Sequence, residues 1–474
     1  MIPEISWKNI WRNKTRSLIV ITAVTLGIIS GVLLVGIMQG WVEQRIHDAI
    51  HNEVSHVQIH NAEYYDNEDI LSTIDSLNKI ISVLESDPEV KAWTERTKLT
   101  AIATTPWAST GLFIYGINPQ KEKEVSEIYT KIVPNGGEYP DINKTGYILI
   151  SDKTAEILQL KQYIITEPLI EKFRESRLPD NIVIKLDSIK GIRFRSPKEF
   201  KAILEKKLNW KELDMYGKLI MDSALDYRIR NRIQITLSDC NGNPVQGTFR
   251  VCGIYKTTNT GFDQASAFVN INELAELYGS DTPLVHEIAI MLHNAENIDN
   301  VKNKLSTVTD KNIVHTWKEL APDAAMMNDF MYMYYFIFIG IIMLALAFGI
   351  INTMLMAILE RTKELGMLMA IGMNRKRIFS MIMLETIFLT SAGAVAGMLA
   401  GWVLVSMLGK TGIHFSSWGE GFEAIGYSAN VYPVVTFDFF IFVIAMVVFT
   451  AVLSSIWPAR KALKLNPVET LRTE

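Results

Sequence analysis

The chain has 474 residues and a formal net charge of −4, so its total charge carries no nucleic-acid signature. At ~150 residues per domain, the length allows about three domains. Hydrophobic residues make up 49 %, but they are unevenly placed along the chain.

At the start, "MIPEISWKNIWRNKTRS" places Trp7, Ile10, Trp11 and Lys14 at helical i, i+3, i+4, i+7 spacing. Aromatic and cationic residues on one face predict a helix over 1–17 lying in the headgroup region of a bilayer. Residues 18–42 then contain no Asp, Glu, Lys or Arg. Their length exceeds the 7–15 residues typical of a signal h-region, and no small-residue cleavage pattern follows. This predicts an uncleaved first transmembrane helix. Uncharged or nearly uncharged runs return at 330–359, 378–409 (Glu385 alone interrupts it) and 439–458. Each meets the roughly 20-residue requirement for a membrane-crossing helix. The expected fold is an α-helical membrane protein with four transmembrane helices and a large α+β domain, 43–329, between helices one and two.

Basic residues set the expected orientation. Lys8, Arg12, Lys14 and Arg16 precede helix one; Arg361, Lys363, Arg375, Lys376 and Arg377 lie between helices two and three. Arg460, Lys461, Lys464 and Arg472 follow helix four, whereas the connection 410–438 has only Lys410. Both termini, the tail 459–474 and the segment 360–377 are therefore expected in the cytoplasm. The domain 43–329 is expected outside.

Within that domain "VSHVQIH" alternates as a strand, and "STIDSLNKIISVLESDPEV" reads as a helix that Ser72 could cap. "LTAIATT" and "GLFIYGI" read as strands and "SDKTAEILQL" as a short helix. Residues 161–230 are richer in charge, with their own helical pattern in "SPKEFKAILEKKL", and predict an inserted subdomain. Residues 231–255 read as two strands around an Asn-Gly-Asn-Pro turn. The two cysteines, Cys240 and Cys252, flank that turn, either as a disulfide in an oxidising compartment or as two unpaired thiols. Four histidines cluster at His47, His51, His56 and His60. His47 and His51 have the one-turn spacing of a shared metal, but no third ligand is legible nearby, so no metal site is expected.

Catalytic motifs are missing from the sequence. "LVSMLGKT" ends in Gly409-Lys410-Thr411, but Leu404 stands where a P-loop needs glycine. Neither GxSxG nor HExxH occurs, which argues against a membrane-anchored enzyme. Glu385 is the one acidic residue in a membrane run and is expected to be paired rather than to relay protons. Gly27 and Gly31 in helix one, and Gly393, Gly397 and Gly401 in helix three, recur every four residues, a pattern for close helix packing.

"INTMLMAILERTKELGMLMAIGMNRKRI" resembles the FtsX-like permease superfamily of ABC transporters. "SWKNIWRNKTRS" and "FIYGINPQKEKEVSEI" agree with it, as does "WPARKALKLNPVETLR" at the end. "FRVCGIYKTTNTGFDQASAFVNINELAEL", with Asp263, resembles the lipoprotein-releasing (LolC/LolE-type) branch. The resemblance covers most of the chain except 161–230. It departs at the short "DCNGNPVQG", where chaperone-recruiting relatives have a longer loop, and at "ISDKTAE", which lacks the usual glycine.

The resemblance implies a non-catalytic permease subunit in the bacterial inner membrane. Two copies of a separate cytoplasmic ATPase would bind ATP and Mg for it, and a second permease subunit would complete a homo- or heterodimer. Segment 360–377 would be the coupling helix, with Glu360, Arg361, Lys363, Glu364, Leu365, Leu368, Met369 and Gly372 meeting the ATPase. The implied task is extraction of lipoproteins for delivery to the outer membrane, with a periplasmic chaperone as a further partner. Macrolide-exporter-like (MacB-like) export of peptides or drugs, and force transmission to cell-wall hydrolases, are the alternatives. For acyl chains, Leu34, Ile37 and Met38 of helix one and Met331, Tyr335, Phe338 and Ile342 of helix two would line a cavity open to lipid.

Overall fold

A computed structural model describes residues 2–463 apart from 13, 68, 177, 310 and 416–418. Among the described residues, four helices are long and apolar enough to cross a membrane. They span Lys14–Asp48, Pro322–Glu360, Arg375–Thr411 and Phe437–Leu463. Each outruns its uncharged stretch, because the polar flanks keep helical geometry. The chain divides into two compact units, one of 1–44, 326–419 and 428–474, the other of 45–325 and 420–427.

In the first, membrane unit, glycines bring helices one and three together. A Cβ at Gly393 would lie 2.9 Å from the Ile21 carbonyl oxygen and from Val24. At Gly397 it would lie 2.9 Å from the Thr25 carbonyl and Ile28, and at Gly401 3.0 Å from Val32. Thr25 Oγ1 donates to the Gly393 carbonyl at 3.1 Å across the same seam. Gly27 and Gly31 face Leu346 and Ile342 of helix two instead. The glycine repeats thus serve contacts inside one chain. The N-terminal helix Ile2–Arg12 does not rest on lipid alone. Ile10 is buried, Ser6 Oγ donates to the Met381 carbonyl, and Trp7 meets Phe388 edge-on.

In the second, inserted unit, a mixed ten-stranded sheet forms the centre. Its order runs Asn312–Thr316, Val57–Asn61, Glu287–Leu292, Val90–Thr104, Ser109–Ile117, Ser266–Asn270, Tyr147–Ser151, Pro244–Tyr255, Ile132–Gly137. Arg232–Ser238 pairs with both Pro244–Tyr255 and Val90–Thr104. The fold is therefore α+β between helices one and two. The segment after residue 160 is a subdomain with its own three-stranded sheet, Lys161–Ile164, Arg193–Phe194 and Leu225–Tyr227. Four helices and a core around Ile170, Leu186, Phe200, Leu204 and Ile220 complete it.

Local expectations changed in three places. The helix expected from Ser72 begins at Leu77, preceded by Ser76 in a left-handed conformation without a side-chain cap. The strand expected over 54–60 is Val57–Asn61, because helix one continues as a π-helical turn, Ala49–Val54. Cys240 and Cys252 are free thiols. The hairpin pairs Pro244 with Ser238 and Arg250 with Arg232, so the cysteines lie far apart along it. A bridge needs Cα atoms within about 7 Å, which this register forbids. Cys252 Sγ instead donates to the Ile148 carbonyl.

Candidate functional site: the segment between helices two and three

Helix two ends at Glu360, and a short helix, Thr362–Ala370, follows directly. Its end is a glycine-capped turn. Met373 N–H donates to the Leu368 carbonyl and Gly372 N–H to Met369, with Gly372 at φ +93°. That left-handed conformation suits glycine and closes the helix. Asn374 then accepts from Lys376 N–H and starts helix three. Gly372 therefore terminates the segment.

The short helix is fastened to its own chain. Leu365 is only 3 % exposed and packs among Met354, Ile358, Ile378, Met381 and Ala459. Leu368 and Met369 lie partly buried against the same cluster. Charges secure the other side. Arg361 Nη1 lies 3.1 Å from a Glu385 oxygen, and Arg361 Nε lies 3.1 Å from Glu364. Glu364 also pairs with Arg12 of the N-terminal helix. Burial opposes ionisation of Glu364, but hydrogen bonds from Arg361 and Arg12 hold its carboxyl below the usual range. Glu385 itself is 2 % exposed. A carboxylate there is tolerable because a guanidinium reaches it.

This arrangement corrects the expected docking face. Leu365, Arg361 and Glu364 are committed to contacts within the chain. The groups presented outward are Glu360, Lys363, Met367 at 52 % and Ile371 at 79 % exposure. Met367 and Ile371 are i, i+4 neighbours on the helix and its C-terminal residue, so they share a face. The sequence showed that the segment was amphipathic. It did not show which apolar residues its own helices would cover.

The residues expected to line an acyl cavity sit largely inside the membrane unit. Tyr335 belongs to its buried core, edge-on to Phe439. Leu34, Met331 and Ile342 pack against that core, while Ile37, Met38 and Phe338 are half-buried. The inserted unit, by contrast, holds a cleft of about 1380 Å³. Asp152, Lys161, Tyr227 and Asp263 line it together with Leu169 and Met221. Lys161 and Tyr227 both reach Asp152, at 2.7 and 2.6 Å. Asp263 accepts from Thr257 N–H and Oγ1, yet burial raises its pKa to about 7.

Comparison with known proteins bears on the membrane segment most. The description "FtsX-like permease C-terminal" matches residues 336–467, which include the whole segment above. An uncharacterised ABC transporter permease of Methanocaldococcus jannaschii is 28 % identical over 48 % of this chain and 55 % of its own length. The ABC transporter permease YtrF of Bacillus subtilis is 26 % identical over 64 % of this chain and 71 % of its own. The macrolide export ATP-binding/permease protein MacB of Chlorobium luteolum is 33 % identical over 27 % of this chain and 16 % of its own. The chain thus spans about half the length of the archaeal relative and a small part of that exporter. Residues 336–467 thus resemble an FtsX-like permease C-terminal domain, and ABC transporter permeases are among the proteins to which the chain is similar.

Proposed function

We propose that the chain is a permease subunit in the bacterial inner membrane, driven by ATP hydrolysed on a separate cytoplasmic subunit. The single supporting observation is the segment after helix two. It is braced by Leu365 and by the Arg12–Glu364–Arg361–Glu385 ladder, yet it offers Met367 and Ile371 outward. A braced helix with an exposed apolar face suits a load-bearing contact with a partner. The purified chain alone is expected to hydrolyse no ATP, and hydrolysis is expected on adding its cognate ATPase. Turnover by the pure chain at the rate of that complex would contradict the proposal.

For cargo, we favour extraction of lipoproteins, which rests on the resemblance of 249–277 to the lipoprotein-releasing branch. A second reading, export of a molecule taken up outside the membrane, draws support from the MacB relative and from the mixed polar and apolar cleft. Photo-crosslinkers at Ile37 and Phe338 in living cells separate the two. Lipoprotein adducts that accumulate when ATP hydrolysis is blocked support extraction. Adducts to lipid and permease alone, with lipoproteins still sorted after depletion, contradict it.

A further inference from the structure

The histidine cluster near the end of helix one resolves into two kinds of site. His56 and His60 are structural. His56 Nδ1 accepts from Leu292 N–H at 3.1 Å, and His60 Nε2 lies 2.9 Å from Gln58 Oε1. Burial pushes both imidazoles down to about 4. Both side chains are buried. His47 and His51 differ. Their rings stack with centroids 4.0 Å apart and planes 12° apart. A third donor arrives from a distant part of the sequence, Glu127, next to the short helix Ile128–Lys131. The donor atoms of His47, His51 and Glu127 all lie within 4.8 Å of one another.

We propose that His47, His51 and Glu127 form a binding site for one divalent transition-metal ion of the zinc class. Zinc bonds to imidazole nitrogen and carboxylate oxygen at about 2.0–2.2 Å, which places tetrahedral ligands roughly 3.4 Å apart. His47 Nε2 and a Glu127 oxygen are already 3.9 Å apart. Both side chains have room to turn, His47 being 52 % and Glu127 37 % exposed. His51 is prepared for ligation: its Nδ1 lies 3.0 Å from the His47 carbonyl, so the N–H donates there and Nε2 keeps its lone pair. This is the outer hydrogen bond that orients metal-bound imidazoles. Glu127 is tied to the same place, because its backbone N–H donates to the His51 carbonyl at 2.8 Å. Two nitrogens and one carboxylate suit zinc, whereas calcium and magnesium call for mostly oxygen ligands.

The test uses the full-length chain in detergent, purified through a tag without histidines and stripped with chelator. Zinc titration against a chromophoric competitor is expected to show one tight site per chain. A hundredfold excess of magnesium is expected to leave it unchanged. Loss of outer-sphere partners alone costs 10–100-fold in affinity, so His47→Ala is expected to cost at least roughly 100-fold. Glu127→Gln is expected to weaken binding about tenfold or more. Because His47 is half-exposed, His47→Ala should unfold at the wild-type temperature without metal. Zinc should then raise that temperature for the wild type only. No stoichiometric zinc, displacement by magnesium, or wild-type affinity in either variant would overturn the site.

Discussion

Each unit sets an arginine between carboxylates, and the two arrangements differ in what lies beyond them. In the inserted unit Arg96 meets Glu122 at 2.7 Å and Glu287 at 2.6 Å, with all three side chains at most 5 % exposed. Gln58 donates to Glu287 as well. That cluster is sealed between two strands of the sheet and the helix Pro119–Val125. In the membrane unit Arg361 also joins two carboxylates, but one, Glu385, is buried and the other, Glu364, is half-exposed and paired with Arg12. The first is a closed knot that fixes strand and helix positions. The second is a ladder leading from a membrane-spanning helix to the surface segment where a partner would bear. Similar chemistry thus serves rigidity in one place and connection in the other.

The largest expected effect comes from opening the closed knot. Arg96→Met leaves two carboxylates buried without their cation, a change that costs about 3–5 kcal/mol. Denaturant unfolding in detergent should show that loss, or no folded protein at all. Replacing Glu122 and Glu287 with leucine in the same chain should recover most of it, since apolar packing often matches a buried ion cluster. The open ladder should respond less steeply. Arg361→Gln is expected to cost about 3 kcal/mol, and Arg361→Gln with Glu385→Gln to restore most of that. An equal loss in the single and double variants would show that Glu385 does not depend on Arg361.

Asp263 gives the inserted unit a pH signature. Burial raises its pKa from 3.8 to about 7, despite the Thr257 hydrogen bonds. The folded state therefore binds a proton more tightly than the unfolded one, so this group's stabilisation is fully present below about pH 4 and lost as pH rises to about 7. The loss amounts to at most about 4 kcal/mol. Asp263→Asn should flatten that part of the stability profile. Smaller still is Gly397→Val. Its Cβ would come 2.9 Å from the Thr25 carbonyl, and the expected cost is about 1–3 kcal/mol as helices one and three separate.

The sequence carried the architecture well because membrane spans announce themselves. Uncharged runs pointed to the four long helices among the described residues, and the shift in composition near residue 161 falls where a separate small sheet begins. Sites were harder, for three physical reasons. Periodicity shows that a helix has an apolar face but not what covers it, so Leu365 looked available until helices two, three and four enclosed it. Charge pairing across the fold is invisible to spacing, which left Glu385 without its named partner. Glu127, the third member of the histidine site, arrives only because the chain folds back. The cysteines stayed open between a disulfide and free thiols for a related reason: flanking one turn in sequence does not say whether two residues lie across from each other in the register.

The central claim is that the braced segment between helices two and three receives force from a separate ATPase. Met367→Asp with Ile371→Asp tests it most directly, because both side chains are exposed and neither is needed for the internal core. Burying two uncompensated charges in a partner's groove should cost several kcal/mol. The account predicts that the double variant keeps the wild-type unfolding temperature but no longer copurifies with its ATPase or stimulates ATP hydrolysis. Copurification at wild-type yield with full stimulation would contradict it.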